Sequence, residues 1–271
     1  MRRGLMRRGV RAGWLVAACL GLAGAALAAA PEPLPVGELP DQASPRLYRV
    51  ALVADPARAS FSGEAEIDLD LKAATDSLWI HGQGLRMEEA MAVAGDGPVK
   101  ADYAQVHATG LARLTFARKL KPGRVTLKFR YTAPFMQAGE GFYRAKVGDR
   151  WYAWTQFQAI DARRVFPGFD EPRHKTMFSV SITAPAGMKA FANGPEVEAT
   201  PVDGGMVRHR FAPIGPAGQA RLAAAKASSS MATRMLPRRF PPRVRRQVPV
   251  RSQRTSTPGS TRRSRPCPTG P

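Results

Sequence analysis

The sequence predicts an all-β protein, an antiparallel multi-stranded sandwich or saddle over residues 44–213. Residues 61–71 alternate apolar and mostly acidic side chains, which is the period of a half-buried strand. Turn sequences such as Lys-Pro-Gly at 121–123 separate further short runs of strand composition, and helical patterns are scarce. These further runs are residues 47–53, 77–81, 111–116, 124–131, 142–146, 178–184, 188–193 and 206–211.

The net charge of +20 belongs to the two ends of the chain. Five arginines lie before residue 12, and 13 Lys or Arg residues lie from Ala212 onward, with no acidic residue in either stretch. The part between carries the ordinary charge balance of a globular domain, so no nucleic-acid partner is expected for the folded part.

The N-terminus has the pattern of a secretory signal peptide over residues 1–30. Arginines are followed by an uncharged apolar run at residues 12–27 and then by small alanines before Pro31. We therefore expect an exported protein, periplasmic or secreted, with no membrane span after cleavage. Residues 31–43 are expected to be a linker. Of the two cysteines, Cys19 lies in the predicted signal peptide and Cys267 near the C-terminus.

The composition of residues 214–271 predicts a disordered basic tail. Arg, Pro, Ser and Ala dominate the stretch, and it contains too few apolar residues to form a core. One interpretation is a native arm that binds nucleic acid or another anionic surface. The interpretation that we favour is an out-of-frame product. A GC-rich gene that is translated in the wrong reading frame typically gives sequence rich in Arg, Pro and Ser and without acidic residues.

The most informative stretch is an aromatic strand at residues 151–158 that leads into a mixed-charge segment. If it is extended, Tyr152, Trp154, Gln156 and Gln158 share one face. Two side-chain amides side by side can bind an amine or a peptide carbonyl, or they can join the sheet to a loop. The following pair Asp170-Glu171 is more consistent with structural salt bridges than with acid–base chemistry, because adjacent residues on an extended chain face opposite ways.

This stretch resembles the signature of the zinc aminopeptidase family that includes aminopeptidase N and puromycin-sensitive aminopeptidase. The family pattern T-Q-F-E-x-x-x-A-R-x-x-F-P-C-x-D-E-P-x-x-K-x-x-F is matched at a dozen positions. These are Thr155, Gln156, Phe157, Ala162, Arg163, Phe166, Pro167, Asp170, Glu171, Pro172, Lys175 and Phe178. The resemblance spans roughly residues 44–213 and includes Tyr48, Phe61-Ser62-Gly63 and Ala192-Asn193-Gly194.

The resemblance implies an N-terminal β-domain that packs on a separate thermolysin-like catalytic domain. It implies that Gln158 helps to hold the free α-amine of the substrate and that Gln156 borders the pocket for the first side chain. Two positions depart from the family pattern. Gln158 replaces the commoner Glu and so lacks an anionic acceptor, and Gly168 replaces Cys, with an expected effect on local packing only.

The zinc-binding motif of this family is not found in the sequence. Its chemistry needs His-Glu-x-x-His on one helix, and none of the four histidines is followed by Glu. We therefore expect no catalytic residue, metal ligand or cofactor in this chain, with zinc in a missing catalytic domain.

The expected function is that of the N-terminal substrate-end-binding and scaffolding domain of an exported zinc metallo-aminopeptidase, catalytically incomplete by itself. Its expected partners are peptide N-termini and the catalytic domain. The alternatives are a stand-alone peptide-binding β-module and a binder of anionic surfaces or nucleic acid through the tail.

Overall fold

The computed structural model describes residues 33–137, 139–215 and the main chain of 234–237. The chain divides after Glu38 into two units, and the described residues from Leu39 onward form the β-domain. The predicted signal peptide and the greater part of the predicted tail lie outside the described residues, so both remain predictions.

The described residues are nearly all β-strand, as predicted. The strands are β1 (Ala43–Val53), β2 (Ser60–Leu71), β3 (Thr75–His81), β4 (Arg86–Ala94), β5 (Gly97–Gln105), β6 (Leu111–Leu120), β7 (Gly123–Pro134), β8 (Gly141–Val147), β9 (Arg150–Gln156), β10 (Met177–Pro185), β11 (Met188–Phe191), β12 (Glu196–Val202), β13 (Met206–Phe211) and β14 (Arg234–Pro237). The helical element among the described residues is one turn of 3-10 helix, Asp161–Arg164. No helix there is long and apolar enough to cross a membrane.

Ten strands form one large sheet in the order β12-β13-β10-β1-β2-β7-β4-β5-β6-β3. At its centre β2 and β7 pair antiparallel over twelve residues. The alternation predicted for β2 is confirmed, since Ala65, Ile67 and Leu69 are fully buried. The opposite face carries cross-strand ion pairs, such as Arg49 to Asp68 at 2.6 Å and Lys128 to Glu66 at 2.8 Å. These exposed pairs keep that face solvated and add little stability.

The large sheet is mixed, since its strand pairings are antiparallel, as predicted, apart from that of β1 with β10. β1 and β10 pair in parallel, with Tyr48 opposite Phe178. Parallel neighbours need a long connection, and here residues 54–176 lie between the two strands in sequence. Strand patterns do not reveal such a pairing, because they report burial and carry no information about direction.

Three strands of the large sheet were not predicted. β4 and β5 are rich in Ala, Met and charged residues and contain few β-branched side chains. β12 is exposed on both faces at the edge of the sheet and contains Pro201, so it has no alternating pattern to detect.

Four strands form a second sheet in the order β11-β14-β9-β8. β14 lies within the stretch predicted to be disordered, most of which is outside the described residues. Composition predicted that residues 214–271 cannot form a core, but it could not predict that β9 and β11 lie on the two sides of a four-residue segment and pair with it.

The segment between β9 and β10 is tied to the large sheet by main-chain contacts. His81 N–H donates to the Gly168 carbonyl at 2.7 Å, and Gly168 N–H donates to the His81 carbonyl at 2.8 Å. The hydroxyl of buried Tyr48 accepts a hydrogen bond from Phe169 N–H at 2.9 Å. The Tyr48 ring stacks on Phe178 at 4.7 Å and meets Phe166 edge-on at 6.1 Å.

Gly168 allows this contact because it has no Cβ. A Cβ there would lie 2.8 Å from Tyr48 Cε1 and 3.1 Å from its hydroxyl oxygen. The departure from Cys at this position therefore does more than remove a thiol, since the Tyr48 ring occupies the space that a side chain would need.

We predict that Gly168→Ala destabilises the domain by about 1–3 kcal/mol, because the new methyl group must displace a ring that is packed on both sides. Chemical denaturation of the purified chain measures the change. Gly187→Ala is the matched control, since a Cβ at Gly187 meets nothing within 4 Å. Equal unfolding free energies for the two variants would contradict the prediction.

Candidate functional site

The two predicted substrate-binding residues lie where β9 ends. Gln156 is the last residue of the strand, and both Gln156 and Gln158 are exposed to solvent. Phe157 between them is buried at 3% exposure. The peptide bond between Gln158 and Ala159 is cis. The alternation of β9 thus continues past its last paired residue, so that both amides face solvent while the residue between them faces the core.

An aromatic surface leads along β9 to Gln156. Trp154 stacks against Tyr152 at 5.6 Å and against Tyr143 of β8 at 5.7 Å. Tyr143 pairs with Trp154 across the two strands, and Gly141 pairs with Gln156. The shared face of Tyr152 and Trp154 was predicted from the alternation of β9. The contribution of Tyr143 was not predicted, because it depends on the register between β8 and β9.

Phe157 fixes the position of the two amides. Its ring meets Phe166 edge-on at 6.1 Å, and its carbonyl accepts a hydrogen bond from Asp161 N–H at 2.9 Å. Arg164 pairs with Asp161 at 2.9 Å and with Glu140 at 3.5 Å. One guanidinium group is therefore shared by these two carboxylates and offsets part of their negative charge.

Arg163 is buried and holds the segment after β9 to the turn between β5 and β6. Its Nε donates to Asp170 Oδ2 at 3.0 Å, and its Nη1 donates to the Thr109 carbonyl at 2.8 Å. Burial raises the pKa of the Asp170 carboxyl above its usual value, and the hydrogen bond from Arg163 acts in the opposite direction. Gly110 has a φ of +85°, and a Cβ there would lie 2.8 Å from Arg163 Cδ.

Glu171 is the centre of a second ion-pair cluster. It accepts hydrogen bonds from Leu39 N–H and from Arg173 Nε, the latter at 2.7 Å. Arg173 also donates to the Leu39 carbonyl at 2.6 Å, and His174 Nε2 lies 3.4 Å from Glu171. The prediction that Asp170 and Glu171 make structural salt bridges is confirmed, and both carboxylates are already used by partners within the domain.

His81 is buried beside Arg163 in an environment that favours the neutral imidazole. Its Nδ1 accepts a hydrogen bond from Asp170 N–H at 3.2 Å, which requires that Nδ1 carries no proton. Burial, together with the positive charge of Arg163, lowers the pKa of His81 to about 4. Burial also lowers the pKa of His174.

The zinc ion that the family resemblance implies would need histidine, cysteine or carboxylate ligands that are free to bind it. His81 Nδ1 faces a main-chain N–H, and Glu171 is occupied by Leu39 and Arg173. Within residues 33–137 and 139–215 no group of three or more His, Cys, Asp or Glu side chains is placed to hold a metal ion. This part of the chain does not fit a zinc site.

We predict that the domain loses stability as the pH falls from about 6.5 toward 4. His81 has a lower pKa in the folded than in the unfolded chain, so the unfolded chain binds more protons in this window and stability rises with pH. A shift from 6.5 to about 4 corresponds to about 3 kcal/mol between the two limits.

Urea unfolding at a series of pH values measures this effect. His81→Asn is the control, because the Asn carbonyl can accept the hydrogen bond from Asp170 N–H without titrating. Its stability should fall less steeply with acid than that of the unmodified chain. The same slope for both proteins would show that His81 is not the group responsible.

Comparison with known proteins agrees with this architecture. The sequence profile of the Peptidase M1 N-terminal domain matches residues 44–216. The β-domain described above, including the segment after β9, falls within that range apart from Leu39 to Ala43 and β14.

Curated relatives are aminopeptidases of bacteria, plants and animals. The chain is 32% identical over 181 residues to aminopeptidase N of Acetobacter pasteurianus, covering 65% of this chain and 50% of that protein. It is 33% identical over 174 residues to aminopeptidase M1-D of Oryza sativa subsp. japonica and 30% identical over 174 residues to the puromycin-sensitive aminopeptidase of Caenorhabditis elegans. These matches cover 63% and 62% of this chain but only 20% and 18% of the relatives. The chain thus spans half or less of the length of these proteins, and through residues 44–216 it belongs to the peptidase M1 family as an N-terminal domain.

Proposed function

We propose that this chain is the substrate-end-binding and scaffolding domain of an exported zinc metallo-aminopeptidase, with the hydrolytic residues and the zinc on a separate catalytic domain. The observation that carries the proposal is the family match over residues 44–216 together with two exposed amides at the end of β9. The relatives aminopeptidase N and aminopeptidase M1-D support aminopeptidase chemistry for the whole enzyme.

The amide pair binds the free amino end of a peptide through its carbonyl oxygens. A side-chain amide oxygen accepts hydrogen bonds from an ammonium group, and buried Phe157 holds the two amides in place at little entropic cost. The stacked face of Tyr143, Tyr152 and Trp154 offers an apolar surface beside Gln156. Neutral acceptors without a carboxylate give weak binding, with a Kd on the order of 1 mM for the domain alone.

Scaffolding is supported by an apolar residue next to the amides. Ile160 lies two residues after Gln158 and has 47% of its surface exposed. Contact between Ile160 and a catalytic domain would exclude water beside the amide pair and strengthen its interaction with an ammonium group.

Export is supported by the arginine-led apolar run at residues 1–30. An exported aminopeptidase acts on peptides outside the cytoplasm. Only two cysteines are present in the chain, and neither lies within residues 44–213, so the folded domain is equally suited to reducing and oxidising compartments.

We predict that the full chain binds a short peptide with a free α-amine and does not bind its N-acetylated form. NMR titration with backbone and side-chain amide shifts as the readout measures the affinity. Gln158→Ala should weaken binding about 3–10-fold, and Gln158→Glu should tighten it by a similar factor in a salt-dependent manner, because a carboxylate adds a charged hydrogen bond.

Gln105→Ala is the control, since Gln105 carries an exposed side-chain amide at the end of β5. This amide accepts a hydrogen bond from Gly84 N–H. This variant should bind like the unmodified chain. Equal affinity for the free and the acetylated peptide would remove the amide pair from the proposal.

We predict that the purified chain releases no amino acid from aminoacyl-anilide substrates, with or without added zinc. The reason is that zinc peptidase chemistry needs ligands and a general base that residues 33–137 and 139–215 do not assemble. A full-length aminopeptidase of the same family is the positive control. Zinc-dependent turnover that copurifies with the chain would overturn the proposed division of labour.

A further inference from the structure

The second sheet contains a position for one strand between β9 and β11. β14 occupies it and pairs antiparallel with both neighbours. Met235 lies opposite Ala153 of β9 and opposite Ala190 of β11, and Arg234 lies opposite Trp154 and Phe191. In the sheet order, β14 lies between β9 and β11, so these two strands are not neighbours.

The register of β9 and β11 across the gap is consistent with one continuous sheet. Ala153 and Ala190 share a row and are both buried, at 0% and 3% exposure. Trp154 and Phe191 share the next row and are both more exposed. A shift of one residue would place a buried alanine opposite an exposed aromatic residue, so burial fixes the register of whatever strand fills the gap.

The gap between β9 and β11 binds a strand mainly through its main chain, and the side chains of that strand contribute less to binding. The edges of β9 and β11 that face each other present N–H and C=O groups, which are costly to leave without partners inside a sheet. A segment inserted between two edges is paired on both sides, whereas addition to an ordinary sheet edge pairs only one.

We propose that the gap between β9 and β11 is a strand-acceptor site for an extended peptide segment, and that residues 234–237 of this chain fill it. The acceptor site recognises extended main chain without proline at the central positions, in the antiparallel direction to β9 and β11. Its occupant completes the sheet whose strand β9 ends in Gln156. The proposal concerns the architecture of the sheet and does not depend on the proposed peptidase function.

Cysteine pairing tests occupancy by the chain's own segment. In a Cys19→Ser, Cys267→Ser background, two variants each place cysteines at register partners, Lys189→Cys with Leu236→Cys and Ala190→Cys with Met235→Cys. One of the two pairs has the closer spacing of a non-hydrogen-bonded pair, so at least one should form an intramolecular disulfide under mild oxidation. Lys189→Cys with Lys119→Cys is the control, because Lys119 is exposed on β6 of the large sheet, and this pair should cross-link at least ten-fold more slowly.

Hydrogen exchange tests the acceptor site itself. Met235→Pro removes the N–H of the central residue and should increase the exchange of β9 and β11 amides at least ten-fold, while the β2 and β7 amides keep their protection and report an intact domain. Met235→Val keeps the N–H and should leave exchange unchanged. A synthetic peptide of residues 231–240 should restore protection of β9 and β11 in the Met235→Pro chain.

Three outcomes would overturn the proposal. The first is cross-linking of the register pairs no faster than the control, or only between two chains. The second is equal exchange of β9 and β11 in the proline and valine variants. The third is failure of the peptide to restore protection in a chain whose β2 and β7 remain protected, because a true acceptor site must bind the segment in trans.

Discussion

The close approach of the Gly168 main chain to Tyr48 and His81 is the contact on which the placement of the site depends. The segment from Phe157 to Thr176 has little regular structure of its own, so its position must come from contacts with the large sheet. Gly168 pairs with His81 on both its N–H and its carbonyl, and Phe169 donates to the Tyr48 hydroxyl. These bonds satisfy main-chain groups that would otherwise be buried without partners. Because Phe157 packs on Phe166 of the same segment, the end of β9 is fixed by the same contact.

Buried charge makes this arrangement specific. Arg163 has little exposed surface, and its guanidinium group reaches Asp170 and the carbonyl of Thr109. An ion pair in such a place contributes modest net stability, because the loss of hydration offsets much of the attraction. An alternative placement of the segment would leave Arg163 without these partners, which is far more costly. The pair therefore selects one conformation of the segment, and neutral His81 is compatible with a guanidinium group beside it.

The strands that the sequence predicted are those in which one face is buried. β2 alternates between core and solvent because both of its neighbours in the sheet bury the same face, and its pattern is visible without any knowledge of those neighbours. β12 is exposed on both faces, and β4 and β5 are built from residues with weak strand preference, so neither kind of strand carries a local signal. The parallel pairing of β1 with β10 and the strand at residues 234–237 depend on what lies beside them in space, and local sequence does not encode this.

The site shows the same division between local and non-local information. Alternation along β9 placed Tyr152, Trp154, Gln156 and Gln158 on one face, since this depends only on the period of an extended chain.

The charge around these side chains depends on tertiary structure. Asp161, three residues after Gln158, and Glu140 both pair with Arg164, so each of these carboxylates already has a cationic partner. With Gln in place of Glu at residue 158, the amides meet an ammonium group as dipoles only. Dipoles exposed to water bind weakly, whereas the same dipoles at an interface from which water is excluded bind more strongly. The chemistry of this surface is therefore better suited to completing a pocket against another domain than to capturing a peptide from solution unaided.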